Sequence, residues 1–254
     1  MKQLPNLFTL LNLFFGCIAI IFILQNGISV TYNADGAQLI TMPEQIWMSS
    51  LFIALAALVD FLDGFVARLF KATSDKGKQL DSLADVVSFG VAPGMILYQF
   101  LRMSFIQQHN GMETSLLWLL PAFIFPCAAA YRLAKFNIDS SQQYVFKGMP
   151  SPAAGLLIAS MPLIYWHSNL EIVLLLLMNK WFLYAITVVV SYLMVCNISL
   201  IALKFTDFSV NRNLPKIILL IVAVVAALLL KWLAVPVVFI FYIIISLIFK
   251  NKTT

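Results

Sequence analysis

Long apolar stretches alternate with short polar connections along the whole chain. A helix needs about 20 apolar residues to cross the hydrocarbon core of a bilayer, and several stretches reach that length. Seven to nine spans are compatible with the pattern, and eight fit it best. The eight predicted membrane helices lie near 6–25, 47–70, 81–103, 115–135, 151–167, 177–203, 214–231 and 234–250.

Two of these predictions concern irregular segments. The stretch 170–203 is too long for one straight crossing, so we expect its first turns to form a short extra piece or to lie along the interface. The last two spans are separated by little more than Lys231 and Trp232, which predicts a tight helical hairpin. The longest polar connection is 26–46, and no fixed-period repeat or soluble domain is visible.

Composition agrees with this pattern. Hydrophobic residues make up 62% of the chain and charged residues 11%, with a mean hydropathy of +0.94. A soluble domain has roughly 45–50% apolar and 25% charged residues, so we expect an all-α polytopic membrane protein. The net charge of +5 suits contact with anionic lipid headgroups, and nothing indicates nucleic acid as a partner.

The amino-terminal apolar run resembles a signal peptide at first sight, because Lys2 precedes it. It lacks a small-residue cleavage site, and Asn6, Thr9 and Asn12 interrupt its apolar face. We expect it to be the first membrane helix.

The distribution of basic residues predicts the orientation. Cytoplasmic ends of membrane helices carry an excess of lysine and arginine. With the amino terminus inside, three basic residues fall outside: Arg102, Lys180 and Lys231. The thirteen inside are Lys2, Arg68, Lys71, Lys76, Lys78, Arg132, Lys135, Lys147, Lys204, Arg212, Lys216, Lys250 and Lys252. We therefore expect both termini in the cytoplasm of a bacterial-type cell membrane.

Acidic residues concentrate between the second and third helices. Five of the eleven lie between positions 60 and 85. Asp60 and Asp63 share one helix face, Asp81 and Asp85 share a face of the next helix, and the polar residues 69–80 are expected to turn the chain back between them. Carboxylates beside membrane-grade apolar runs are costly and usually mark a functional site.

The chemistry of this cluster favours phosphoryl transfer. Converging carboxylates repel one another unless a hard cation binds, and oxygen ligands favour magnesium, manganese or calcium over zinc. Gly64 and Ala67 leave a helix face bare for a bulky group, and Arg68 offers donors that match phosphate oxygens. Acids, two metal ions, small residues and one arginine describe a phosphoryl-transfer site.

The residues also carry a family resemblance. The pattern Asp60-x2-Asp63-Gly64-x2-Ala67-Arg68-x8-Gly77-x3-Asp81-x3-Asp85 matches the CDP-alcohol phosphotransferase signature at every fixed position. The blocks LPNLFTLLNLFFG, LDSLADVVSFGVAPG, AAYRLAKFN, FKGMPSPAA and LMVCNIS resemble the branch of CDP-diacylglycerol–serine O-phosphatidyltransferases. They cover most of residues 4–200.

The resemblance implies roles for the aspartates. Asp60, Asp63 and Asp81 hold one divalent ion, either Mg²⁺ or Mn²⁺. Asp60, Asp81 and Asp85 surround a second ion, and Asp85 is the general base. The fold implied is that of the CDP-alcohol phosphotransferases, with about six helices in residues 1–204 and an additional transmembrane hairpin in 205–254.

The resemblance also implies a nucleotide pocket and a reaction. Gly64, Ala67 and Gly77 line the cytidine pocket, Arg68 lies beside the diphosphate, and Asn6 and Thr9 help to hold CDP-diacylglycerol. Serine attacks the lipid nucleotide, giving phosphatidylserine and CMP. The family is commonly dimeric, so we expect a homodimer.

The acceptor site is a hypothesis of its own. Serine carries a carboxylate, and Arg132 is expected at the cytoplasmic end of the fourth predicted helix, level with the aspartates. We expect Arg132 to bind that carboxylate, helped by Lys135 or Asn137, while Ser151 shapes the pocket.

Alternatives remain open at this point. Glycerol phosphate or inositol phosphate are other acceptors for the same chemistry, and both call for more basic residues around the pocket. An ion-coupled transporter is a third interpretation, since intramembrane carboxylates also form cation pathways. That interpretation predicts carboxylates near mid-membrane in two related halves, whereas this chain has one cluster at helix ends.

Overall fold

The computed structural model describes residues 4–25, 29–32, 38–41, 45–69, 74–107, 114–138, 146–200 and 210–248. Helices dominate these residues. They are α1 (Leu4–Leu24), α2 (Ile46–Leu69), α3 (Asp75–Asp85), α4 (Ala92–Ile106), α5 (Ile124–Ile138), α6 (Ser151–His167), α7 (Glu171–Leu177), α8 (Lys180–Val195), α9 (Val210–Leu230) and α10 (Ala234–Ile248). A π-helical segment, Val86–Val91, joins α3 to α4 without a break, and 3₁₀ turns cover Leu116–Trp118, Leu120–Phe123 and Lys231–Leu233.

Two short antiparallel ladders lie in the connections, a feature the all-α expectation did not include. Strand β1 (Ser29–Tyr32) pairs with β2 (Gln38–Thr41), with Ser29 opposite Thr41. Strand β3 (Phe146–Lys147) pairs with β4 (Ser199–Leu200). The first ladder is within the long polar connection.

The apolar helices show that the chain is an integral membrane protein. By length and composition, four segments of the described residues qualify as spans, and the bent pair α7–α8 makes a fifth if it is counted as one. Helices α5 and α6 have 15 and 17 residues and are not among these segments. The predicted number of eight spans is therefore not confirmed. The four segments are Pro5–Leu24, Ile46–Val66, Asp75–Ile106 and Leu214–Ile248, and the last contains most of α9 and all of α10.

Both irregular segments agree with the sequence pattern. Helices α7 and α8 meet at an angle of 70°, so the first turns after position 170 form a separate short piece. Helix α10 folds back on α9, and Leu219 packs with Ile245 in a small apolar cluster. Lys231 reverses the chain between them with a φ of 51°.

The connection between the aspartate-bearing helices is shorter than predicted. Helix α2 continues to Leu69 and α3 begins at Asp75, so Gly77 is in the first turn of a helix and not in a loop. The reason is a helix cap: the Ser74 hydroxyl accepts a hydrogen bond of 3.0 Å from the Gly77 backbone N–H.

The packing of the helices determines where polar groups meet. Helix α1 lies along α2, and large side chains such as Phe89, Phe100 and Phe125 fill the centre of the bundle. Five helices converge at one end of the bundle, as contacts among their polar side chains show. They contribute the start of α1, the end of α2, the end of α3, the end of α5 and the start of α6. The candidate site is at this end.

Candidate active site

Three aspartates from two helices form a compact cluster. Asp60 and Asp63 project from α2 and Asp81 from α3, and one carboxylate oxygen of each lies within 4.8 Å of the others. This confirms the convergence that the i, i+3 spacing predicted. Asp85, one helical turn beyond Asp81, lies close enough to Asp60 and Asp81 for the carboxylate charges to repel one another. The four carboxylates therefore form one continuous group.

The cluster suits a hard divalent cation. Asp63 and Asp85 are only 7% and 6% exposed, so water does little to screen their repulsion. One oxygen of Asp81, Oδ1, is buried without a hydrogen-bond partner. A cation bound by all-oxygen ligands would remove the repulsion and would satisfy this atom.

Helix α1 forms one wall of the site through two hydrogen bonds. Thr9 Oγ1 donates to Asp63 Oδ2 over 2.8 Å, and Asn12 Nδ2 donates to Asp85 Oδ1 over 3.1 Å. In the sequence, Asn12 stands out only as an interruption of an apolar face. The signal that would have identified it is its spacing, because Asn12 is three residues after Thr9, as Thr9 is after Asn6, and residues three apart are neighbours on a helix surface.

The residues expected around the nucleotide are partly described. A methyl group added at Gly64 would meet no atom within 4 Å, so the helix face is bare there. A methyl group at Gly77 would lie 3.2 Å from Asn6 Oδ1, which places Asn6 directly over Gly77. Ala67 and Arg68 belong to α2, but their side chains lie outside the described residues.

Two of the expected acceptor residues are in direct contact. Arg132 Nη1, on α5, donates a hydrogen bond of 2.7 Å to Ser151 Oγ at the start of α6. Arg132 is 8% exposed, and its Nε is buried without a partner. Its charge interacts with that of Asp85, which links this pair to the aspartate cluster.

The other two expected acceptor residues are engaged elsewhere. Lys135 Nζ donates to Asn197 Oδ1 beyond the end of α8 over 2.6 Å. Asn137 Nδ2 donates to Ser82 Oγ over 2.8 Å, so it connects α5 to the helix that carries Asp81. Neither is joined to the Arg132–Ser151 pair by these hydrogen bonds.

Known proteins resemble the chain over the segment that contains this site. The family model for CDP-alcohol phosphatidyltransferase matches residues 2–193. Three curated relatives are each named CDP-diacylglycerol–serine O-phosphatidyltransferase. The protein from Helicobacter pylori is 36% identical over 156 residues, covering 61% of this chain and 54% of the relative. That from Bacillus subtilis is 39% identical over 121 residues, covering 45% and 60%. That from Saccharomyces cerevisiae is 36% identical over 148 residues, covering 54% and 50%.

These matches span about half the length of the curated relatives. The match to the family model, in contrast, extends over most of the chain and includes all four aspartates. This chain therefore belongs to the CDP-alcohol phosphatidyltransferase family.

Proposed function

We propose that this protein transfers the phosphatidyl group of CDP-diacylglycerol to the hydroxyl group of L-serine, giving phosphatidylserine and CMP. One observation carries the proposal: the aspartate cluster and the buried Arg132–Ser151 pair meet at the same end of the bundle. Family membership and the printed names of the relatives support it.

The aspartates are proposed to bind Mg²⁺ or Mn²⁺. Asp60, Asp63 and Asp81 would hold one ion, and Asp60, Asp81 and Asp85 would surround a second. When bound, such ions screen the diphosphate and stabilise the charge that develops on the CMP leaving group. Thr9 fixes the orientation of Asp63 for this role through its hydrogen bond.

The transfer itself requires removal of one proton. Asp85 accepts the proton of the serine hydroxyl, and the serine oxygen forms a bond to the β-phosphorus of CDP-diacylglycerol. The bond between that phosphorus and the bridging oxygen breaks, and CMP leaves with the electron pair. Asn12 holds the Asp85 carboxylate in place through its amide N–H.

The substrates are proposed to approach from different sides of the cluster. Gly64, with open space beside it, and Gly77, which lies below Asn6, are proposed to receive the cytidine nucleotide together with Ala67. Arg68 would bind the diphosphate. Arg132, on α5, binds the serine carboxylate, and Ser151 holds the guanidinium group in position.

We further propose that the site faces the cytoplasm and that both termini lie on the same side. At the site end the basic side chains include Lys76 and Lys78 on α3 and Lys135 on α5. At the other end, Lys180 lies over the ring of Phe105 near the end of α4, at 5.0 Å. The excess of positive charge at the site end favours this orientation. A labelling test with a membrane-impermeant thiol reagent on single cysteines introduced at Lys76 and at Lys180 distinguishes the two sides.

The domain boundary and the oligomer are also proposals. Residues 1–204 would form the catalytic membrane domain, and 205–254 would add a transmembrane hairpin, in keeping with the end of the family match at 193. A homodimer is proposed because members of the family are commonly dimeric.

An acceptor panel tests the proposed function. Purified protein is incubated with CDP-diacylglycerol, Mg²⁺ or Mn²⁺, and serine, glycerol phosphate or inositol phosphate, and release of CMP is measured. We expect release with serine and little with the two phosphates. Release with a phosphate acceptor alone would assign the enzyme to another reaction of the family.

A further inference from the structure

Buried polar atoms without partners cluster around the site. Among the residues that the structure describes, six buried side-chain atoms lack a hydrogen-bond partner. Three of them belong to residues around the proposed base Asp85: Asn12 Oδ1, Asp81 Oδ1 and Arg132 Nε. A bound cation would satisfy the Asp81 oxygen. The atoms of Asn12 and Arg132 have opposite hydrogen-bonding character, one an acceptor and the other a donor.

The orientation of the Asn12 amide follows from its partner. Asn12 is fully buried, and its Nδ2 donates to the Asp85 carboxylate. The opposite orientation would set the amide oxygen against a carboxylate oxygen, which is repulsive. Since both amide atoms share one carbon, the free Oδ1 lies within about 5.5 Å of the Asp85 carboxylate oxygen.

The helix that carries Asn12 is held firmly at this position. Ser88 Oγ, in the π-helical segment, donates a hydrogen bond of 3.0 Å to the Asn12 backbone oxygen. Gly16, one turn later on α1, allows the approach, because a methyl group there would lie 2.9 Å from Ser88 Cα. These contacts fix α1 at Asn12, so its side-chain Oδ1 stays on the Asp85 side of the helix. Rotation of α1 cannot easily provide this atom with another partner.

An amino-acid zwitterion matches the two free atoms. Its ammonium group needs acceptors and its carboxylate needs donors. We propose that Asn12 Oδ1 accepts a hydrogen bond from the ammonium group of the acceptor substrate while Arg132 binds its carboxylate, so that the two residues together select an amino acid. The inference rests on the proposed function and adds the recognition of the amine to it. It also gives a physical reason to favour serine over glycerol phosphate and inositol phosphate, which carry no ammonium group.

Two truncated acceptors separate the roles of these residues. 3-Hydroxypropionate is serine without the ammonium group, and 2-aminoethanol is serine without the carboxylate. For each, kcat/KM is measured, or the inhibition constant against serine where turnover is too slow. In Asn12→Ala we expect the preference for serine over 3-hydroxypropionate to fall about 10-fold or more, because a hydrogen bond to a charged group is lost. The preference for serine over 2-aminoethanol should stay unchanged.

The preference ratio distinguishes recognition from positioning. If Asn12 only orients Asp85, both acceptors slow equally in Asn12→Ala and the ratio is unchanged, which would overturn the inference. Failure of the wild-type protein to use serine at all would instead overturn the proposed function. Binding of CDP-diacylglycerol shows whether the variant is folded. If Asn12→Ala does not fold, the same measurements are made with Asn12→Ser.

Gln99 supplies a matched control. It is a buried amide whose Nε2 donates to the Ile23 backbone oxygen over 2.8 Å, at the other end of α1, and its Oε1 is also without a partner. Gln99→Ala should lower thermal stability while both preference ratios stay at the wild-type value.

Discussion

Thr9 and Asp63 are joined by a hydrogen bond of 2.8 Å although 54 residues separate them in the chain. The same hydroxyl lies 3.2 Å from the Pro5 backbone oxygen, so it is fixed within α1 as well. The first helix thus sets the direction in which one carboxylate of the cluster points.

Replacing Thr9 with valine should weaken metal binding. Valine keeps the shape of the side chain but removes the donor to Asp63, and outer partners of metal ligands typically contribute 10- to 100-fold in affinity. We expect the Mg²⁺ concentration for half-maximal activity to rise by about that factor. Thr9→Ser should restore it. Thr187→Val is the control, because that buried hydroxyl donates only to the Leu183 backbone oxygen of its own helix; an equal effect there would contradict the prediction.

Loss of a central aspartate should abolish turnover. In Asp60→Asn or Asp81→Asn the cluster retains its volume but loses one of three converging carboxylates. We expect activity below detection with either variant, and with wild-type protein in excess chelator, while the detergent-solubilised protein elutes as a folded species. Full activity in either variant, or without divalent ions, would contradict the proposal that the transfer requires a metal ion bound by these aspartates.

Replacing Asp85, the proposed base, should lower kcat strongly. General-base assistance contributes about 10²- to 10⁴-fold, so Asp85→Asn should lose at least that much in kcat. The loss is expected to be larger if Asp85 also contacts a metal ion. Asp75→Asn is a suitable comparison, because Asp75 is exposed in the first turn of α3 and should retain wild-type turnover. Near-normal kcat in Asp85→Asn would require another base.

Arg132 should be poorly replaced by lysine. A guanidinium group holds a carboxylate with two parallel hydrogen bonds, which an ammonium group cannot reproduce. We expect Arg132→Lys to raise the KM for serine strongly while CDP-diacylglycerol binding stays near the wild-type value. Lys135→Ala is the comparison, since Lys135 is bound to Asn197 and should affect serine less. An unchanged serine KM in Arg132→Lys would remove Arg132 from the acceptor site and leave it a structural partner of Ser151.

Two glycines should respond to alanine in opposite ways. Gly64→Ala meets open space, and alanine favours a helix by about 1 kcal/mol, so thermal stability should hold or rise while the KM for CDP-diacylglycerol increases. Gly16→Ala forces a methyl group against Ser88, and overpacking of this kind typically costs about 1–3 kcal/mol. Thermal unfolding and nucleotide-lipid kinetics of both variants check this. A stability loss in Gly64→Ala would contradict the open face.

Local spacing made the aspartate cluster predictable. Asp60 and Asp63 are three residues apart on one helix, and Asp81 and Asp85 are four apart on the next, so a reversal between the helices brings the two faces together. The bend at α7–α8 and the final hairpin followed similarly from the length of apolar stretches.

Contacts between distant helices were harder to foresee. The pairing of Asn12 with Asp85 depends on how closely α1 packs on the π-helical segment, which no local pattern specifies. Lys135 was expected beside Arg132 because both fall at the same helix end. Its long side chain extends to Asn197 instead, a choice that its position in the sequence does not reveal.

The π-helical segment Val86–Val91 has a consequence for how the chain length can vary. An α-helix turns about 100° per residue, and a π turn accommodates one residue more than an α turn. Deleting one residue there and restoring an α-helix would leave the phase nearly unchanged, whereas converting all six residues to an α-helix would rotate Asp81 and Asp85 by roughly 100° with respect to α4. The aspartates would then point away from α1 while Phe100 stayed in the core. The π turn absorbs one extra residue and keeps the aspartate-bearing half of this long helix in phase with the half that packs in the core, so loss of that residue should be tolerated where loss of the π turn itself is not.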